Sequence, residues 1–512
     1  MTTDYLKEFL PDLDEFREKT MAFHREELSV NEYKGFSGGY GSYAQKGGKK
    51  HMLRLRMAGG QLTKGRLHFI TSACEKYHID RLKLTTCQSV QMHNLEAKDL
   101  CEMIEEAWNA DMISRGGGGD FPRNVMASPL TGVEKSEYFD VLPYAKAAGQ
   151  YLMRFIKAVK FPRKLKVCFS NSPANETHAT FRDMGFVATP EGKFDVYIAG
   201  GLGNNPKLGV CVAEGIEPAK ILYYIKAMVD TFTTYGNYEN RARSRTRYLQ
   251  DTLGIDGLKK AYQEKLDTIF AEEKLDFTPE SLEYTKKGEG SLEHKRVIPQ
   301  KQDGLYAVFY QPIGGNLTPE KAKELYNLIK DMEDVEIRLT PKESMYIINC
   351  TAKEAEAVLA CTEDSAATIF ETSVACIGNP ICQVGFGNSQ ALLSACVEAV
   401  RKEGFADGVL PRIHISGCPS SCSAHQTGAI GFRGAMKQTP DGPKPAFAIF
   451  EGGCDTQGKE NIAEAGKAMA VEDIPVFLVE LGKKIAAENS SYEEWIKNNH
   501  AVMVELIEKY TA

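Results

Sequence analysis

No stretch of the chain is apolar for long enough to cross a bilayer, and the N-terminal MTTDYLKEFLPDLDEF is acidic and amphipathic where an export signal would be basic and then apolar. A cytoplasmic protein is expected, with no membrane partner. Excess positive charge is missing too: 62 Lys and Arg against 69 Asp and Glu leave a net charge of −7, without a basic block or aromatic–basic interleaving. Nucleic acid is therefore not an expected partner. Low-complexity tracts are absent, and the 43% apolar and 26% charged residues are those of an ordinary globular chain; 512 residues exceed what one core organises, so several domains are expected. A dinucleotide fingerprint is lacking, since GGLGNN at 200–205 does not hold the G-x-G-x-x-G register. Cysteine, by contrast, is plentiful. Thirteen of them in a chain without an export signal do not make a disulfide framework, because the cytosol keeps thiols reduced, and metal ligation becomes the question.

The chain repeats itself. Residues 51–100 lie over 306–355 without a gap, HMLRLRMAGGQLT over YAVFYQPIGGNLT and RLKLTTCQSVQMHN over EIRLTPKESMYIIN, with Gly59-Gly60 matching Gly314-Gly315. Each copy reads as an alternating strand, a Gly-Gly turn, an amphipathic helix, and a second alternating strand followed by a helix, a small α+β unit. A weaker echo follows each copy: FPRKLKVCFSNSP resembles LPRIHISGCPSSC, and DVYIAGGLG resembles AFAIFEGGC. The expected order is a leading segment (1–50), a small unit (51–110), a large unit (111–265), a polar connector (266–300), a second small unit (301–362) and a second large unit (363–512). Differences between copies then mark specialised chemistry.

One difference is a set of four cysteines in the second half. ACIGNPICQVG carries Cys376 and Cys382 as C-x5-C, and HISGCPSSCSAH carries Cys418 and Cys422 as C-x3-C, both in Gly/Pro-containing loops. Such loops let backbone amides point at sulfur while thiolates converge, as a 4Fe–4S cluster requires. A structural zinc site is the competitor, although zinc knuckles favour shorter spacers than C-x5-C. LKVCFSNSP in the first half cannot supply the same set.

The other difference is basic. Arg54 and Arg56 on LRLRM have Phe309 and Gln311 as their copies; Arg115 and Arg123 flank a four-glycine loop in SRGGGGDFPRNV; and Lys164 and Lys166 in PRKLK align with Ile413 and Ile415. A cage of guanidinium and ammonium groups suits a small oxyanion and stabilises negative charge during its reduction. Lysines can also relay protons where burial lowers their pKa.

In LRLRMAGG, LTTCQSVQMH, RNVMASPLTG, PRKLK, RARSRTRYL and above all the paired C-x5-C and C-x3-C, the chain resembles the siroheme-dependent sulfite and nitrite reductases over nearly its full length. The resemblance implies an α+β fold, internally duplicated, with two ferredoxin-like half domains and two larger α/β lobes related by pseudo-twofold symmetry around a siroheme. It implies Cys376, Cys382, Cys418 and Cys422 as ligands of the 4Fe–4S cluster, with Cys422 bridging to the siroheme iron, and Arg54, Arg123, Lys164 and Lys166 as the substrate residues. Siroheme carries eight carboxylates, whose burial demands cations; Arg56, Lys83, Gln91, Arg163, Arg245 and Arg247 are the candidates by position. Two residues depart from the family pattern: Cys87 stands where an arginine is common, with Lys83 earlier in the segment as a candidate to compensate, and Ser420 stands where an asparagine is common.

By the same resemblance, lysine at both ends of Lys164-Leu165-Lys166 favours sulfite, since a second ammonium helps hold a dianion. The implied reaction is six-electron reduction of sulfite to sulfide, with nitrite to ammonia as the alternative and electrons from a ferredoxin or a separate reductase subunit. A non-catalytic siroheme and iron–sulfur protein, for electron transfer or sensing, is the reading from another class, motivated by Cys87 and Ser420.

Overall fold

A computed structural model describes residues 2–280, 284–440 and 442–512. The chain divides into two compact units, the first formed by Met1–Gly201, Asn205–Tyr310 and Asn316–Glu363, the second by Leu202–Asn204, Gln311–Gly315 and Asp364–Ala512.

The first unit holds both small repeats. In one, strands Ser42–Ala44, His51–Leu55, Val90–Leu95 and Leu82–Leu84 lie side by side; in the other, Val297–Pro299, Tyr306–Tyr310, Met345–Cys350 and Glu336–Leu339 do the same. The matched turns take matched backbone angles: Gly59 and Gly314 at φ 65° and 61°, Gln88 and Glu343 at 51° and 60°, Asn94 and Asn349 at 63° and 62°. Left-handed residues at the same repeat positions, in both glycine and non-glycine side chains, identify one backbone built twice. Each helix after the Gly-Gly turn is capped by a threonine, Thr63 accepting from Arg66 N–H and Thr318 from Lys321 N–H.

The Gly-Gly turns do more than reverse the chain. Each sends its next two residues into the other copy's sheet: Asn316–Leu317 pairs with Leu82 and Lys83, and Gln61–Leu62 pairs with Ile337 and Arg338. One core, including Leu53, Leu82, Met92, Val308, Ile337 and Ile347, therefore serves both copies. The leading segment enters it as well, since helices Thr2–Phe9 and Asp12–His24 bury Phe9, Leu13 and Phe16 there.

The first unit also holds a large lobe, a sheet of Met126–Ala127, Val167–Ser170, Met184–Ala188, Phe194–Ile198 and Val210–Ile216, its first two pairings parallel and the others antiparallel. The second unit repeats that order and those directions with Val374–Ala375, Ile413–Ser416, Ile430–Thr439, Gly442–Glu451 and Ala468–Ala470. Asn175 and His178 have φ of 50° and 61°, and Ser421 and Ala424 have 51° and 54°. A Cβ at Gly185 would stand 1.9 Å from the Ala179 carbonyl oxygen, and one at Gly431 1.9 Å from that of His425.

Strand register corrects the sequence alignment of the lobes. Val167 pairs with Met184 as Ile413 pairs with Ile430, so Val167, and not Lys164, matches Ile413. The structural matches of Lys164 and Lys166 are Leu410 and Arg412, so the apolar contrast survives at Lys164 only. Gly200 likewise matches Gly453, because their Cβ positions meet the equivalent carbonyl carbons of Phe181 and Thr427. Two expected boundaries also move. Helix Leu249–Glu272 runs through residue 265, and the connector ends in strand Val297–Pro299; its residues 281–283 lie outside the described residues.

Candidate active site

The four-glycine loop gathers the basic side chains of the first unit. Gly116 and Gly119 take φ of 72° and 63°, and a Cβ at Gly118 would stand 2.7 Å from the Tyr43 hydroxyl, so no larger residue fits this turn. Into the loop's carbonyls point two guanidinium groups, Arg54 donating to Gly117 O at 2.7 Å and Arg123 to the same oxygen at 2.9 Å and to Gly119 O at 2.9 Å. Gln91, across the strand pair from Arg54, accepts from its Nη2 at 2.6 Å with the amide oxygen turned toward it. Gln91 is thus placed to orient Arg54. Neither arginine is paired with a carboxylate among the described residues, and the Nε of Arg123 is buried without a hydrogen-bond partner.

The parallel bridge of Pro122 with Leu165, closed by Arg123 N–H to Leu165 O at 2.8 Å, sets Arg123 beside the Lys164–Lys166 segment. Lys166 is half-buried, and burial lowers its pKa. The Cys87 thiol reaches the Lys166 ammonium; burial opposes ionisation of this thiol, but Lys166, Arg182 and Arg54 outweigh it and bring the pKa down to about 6. Tyr43 was not visible to sequence reasoning. Its hydroxyl accepts from Gly119 N–H at 2.7 Å, and although burial pushes the phenol up, Arg123 and Arg54 outweigh that and lower it. Asp183, equally missed, is fully buried and holds Lys166 N–H at 2.9 Å and both Arg245 (2.9 and 3.0 Å) and the Thr246 hydroxyl.

The remaining cations divide. Arg56 spends its guanidinium on Arg115 O at 2.6 Å and Arg123 O at 3.1 Å, bracing the glycine loop. Arg163 is half-buried and pairs with Asp120, which also binds Arg241. Arg245 keeps a buried Nε without a partner, and Arg247, only 5% exposed, is lowered to about 10 by burial and by Arg245 beside it. Lys83 needs correcting as a cofactor candidate: its side chain is 2% exposed and pairs with Glu343 at 2.8 Å, so its charge is matched inside the shared core and does not compensate for Cys87.

In the second unit the cysteines sit on two loops that lean on one another. Cys376 N–H bonds Ile415 O, Cys382 N–H bonds Gly378 O, and Gly387 N–H bonds Gly417 O, joining the two pairs. Cys376 Sγ accepts from Gly417 N–H at 3.1 Å and lies 3.2 Å from the Ser389 hydroxyl. Glycine is required for this closeness: a Cβ at Gly417 would meet Gly387 O at 2.7 Å, and one at Gly434 would meet Gly417 O at 2.5 Å. Cys418 is buried and Cys422 exposed. Among the described residues no three His, Cys, Asp or Glu side chains close on one point as a single-ion site needs; a cubane takes one thiolate on each of four irons, so its sulfurs stand apart. The Gly417 amide aimed at the Cys376 sulfur, and the Ser421 and Ser423 hydroxyls buried without partners on either side of Cys422 in sequence, fit such a cluster.

A duplicated half-domain pair, a lobe that gathers basic side chains around a glycine loop and a lobe with four loop cysteines together suit an iron–sulfur oxidoreductase. The comparisons give the family. The model "Nitrite/Sulfite reductase ferredoxin-like half domain" matches residues 43–108 and 298–363, and "Nitrite and sulphite reductase 4Fe-4S domain" matches 118–270, together more than half of the chain. The 4Fe-4S model falls on the first lobe, whose backbone the cysteine-bearing lobe repeats. The chain belongs to the nitrite and sulfite reductases, oxidoreductases that use siroheme and a 4Fe–4S cluster. It is 26% identical to the ferredoxin–nitrite reductase of Synechococcus elongatus over 84% of this chain and 85% of that one, and 26% identical to the sulfite reductase [NADPH] hemoprotein beta-component of Bacillus subtilis over 75% and 73%. The Mycobacterium tuberculosis NirA protein shares the fold, with a TM-score of 0.75, 22% identity and coverage of 93% and 92%. No helix among the described residues is long and apolar enough to cross a membrane.

Proposed function

We propose that this enzyme reduces sulfite to sulfide in six electrons, as a cytoplasmic protein supplied by a ferredoxin or a separate reductase subunit. The observation that carries the reading is the convergence of Arg54 and Arg123 on one carbonyl oxygen, Gly117, with no carboxylate among the described residues to neutralise either. Two fixed guanidinium groups whose charge is unmatched make a preorganised site for an oxyanion, and Lys164 and Lys166 add a second edge to it. Lys166, whose pKa burial lowers, is suited to deliver protons to the oxygen that leaves. Cys376, Cys382, Cys418 and Cys422 would hold the cluster, and Arg163, Arg245 and Arg247 would meet siroheme carboxylates. Siroheme, when bound, would supply redox-active iron for the reduction.

Nitrite to ammonia is the second reading. The contact of Cys87 with Lys166 favours it, because a thiolate there leaves less positive charge for a dianion, and the similarity to ferredoxin–nitrite reductases points the same way. Oxidation of reduced methyl viologen, compared with sulfite and nitrite as acceptors, separates the two. Arg123→Ala should cost about a hundredfold or more in kcat/KM with the true substrate; a cofactor-loaded protein that oxidises viologen with neither anion would leave electron transfer or sensing as its role.

A further inference from the structure

The basic cluster contains one group of the wrong sign for anion binding. Cys87 lies in the turn between strands Leu82–Leu84 and Val90–Leu95, held there by its own N–H to the Thr85 hydroxyl at 3.3 Å and by Asn124 donating to its carbonyl at 2.9 Å. Its side chain packs against Met126, Cys168, Ala179 and Val187, with Tyr197 at the same small cluster. The charged groups that act on it most strongly are Lys166, Arg182 and Arg54, and Arg123 feels it in turn; the Asp183 carboxylate, bonded to the Lys166 N–H, acts on the Lys166 ammonium from behind. Asn124 also binds Met57 N–H and Gln88 O, so the turn that presents the sulfur is locked to the strand that carries Arg54 and to the segment that carries Arg123.

We propose that Cys87 determines anion specificity: its sulfur, held against the Lys166 ammonium beside Arg54 and Arg123, cancels one positive charge of the cage and lowers the preference for a dianion over a monoanion. The inference rests on the reading of that cage as the substrate site. The physical ground is Coulombic, since removing one unit of positive charge weakens a dianion twice as much, in free energy, as a monoanion at the same distance. The thiol's low pKa keeps the sulfur anionic at neutral pH, and below about pH 6 the cancellation is lost as the thiol takes up its proton.

The test is the dissociation constant of sulfite and of nitrite, read from the siroheme absorbance of the oxidised holoenzyme at mildly alkaline pH, for wild type, Cys87→Ser and Cys87→Arg. Serine restores one positive charge and arginine adds a second, so the ratio of sulfite to nitrite affinity should rise about threefold and then about tenfold. An unchanged or falling ratio in Cys87→Ser, with siroheme and iron content intact, overturns the proposal, and that variant suffices if arginine prevents cofactor loading. Lys164→Gln separates the two inferences. If it weakens both anions while the Cys87 variants leave the ratio alone, only the role of Cys87 falls; if it weakens neither, the cage itself is not the substrate site and the proposal falls with it.

Discussion

Strand Val167–Ser170 of the first lobe and strand Ile413–Ser416 of the second lead into loops with left-handed residues at matched places, yet Ser172 and Glu176 stand where the second lobe has Cys418 and Cys422. The reverse holds upstream and downstream. Lys164 stands against Leu410, and Asp183, which organises Lys166, Arg245 and Thr246, stands against Ala429. One skeleton thus carries cysteines in one copy and, in the other, a network of cations organised by Asp183. The lesson is that the backbone of these loops is a scaffold independent of its ligands: the same turn presents whatever side chain occupies it, and chemistry is assigned by substitution at fixed places.

That comparison can be broken at its strongest point. Cys422→Ser should abolish viologen-linked reduction and lower bound iron and acid-labile sulfide, whereas Glu176→Gln at the matched place should leave cluster content unchanged; cluster loss in both would mean that the lobes are not specialised. The shared skeleton is tested by glycine. Gly185→Ala and Gly431→Ala each force a Cβ to within 1.9 Å of a backbone carbonyl oxygen, so each should cost about 3 kcal/mol in denaturant unfolding of its own lobe. A large cost in one and none in the other would deny the equivalence. The smallest effect sharpens the electrostatic contrast. Burial alone would raise the Asp183 pKa, but Arg245 and Thr246 outweigh it and hold it below 3.8. A carboxyl with a depressed folded pKa contributes stability that is full above its unfolded value and lost as pH falls through the folded one. Asp183→Asn should therefore cost about 2 kcal/mol at neutral pH and remove part of the acid-dependent loss of stability below pH 3.8, with no counterpart at Ala429.

Much of this was legible in the residues. The gap-free match of 51–100 with 306–355 gave the half domains because period-two strands and Gly-Gly turns leave a local signature, and C-x5-C with C-x3-C marked two loops that the structure lays against one another. Register between the lobes was not legible. The shared Pro-Arg of FPRKLK and LPRIHI drew the alignment away from the strand pairing, which depends on hydrogen bonds to segments far along the chain. Lys83 reads as a cofactor cation until Glu343, distant in sequence, is found beside it. Tyr43 and Asp183 carry no motif, and their roles come only from the arginines that folding brings to them.

The exchanged strands of the half domains have a consequence for how the chain can be divided. Gln61–Leu62 closes an edge that belongs to the later copy, and Asn316–Leu317 closes an edge of the earlier one. Severed between the copies, each fragment would expose an unpaired strand edge and lose half of its hydrophobic interior, so the two should fold only in each other's presence. A single-copy forerunner with this geometry would have met the same requirement as a symmetric pair of identical chains, each lending the other its short strand.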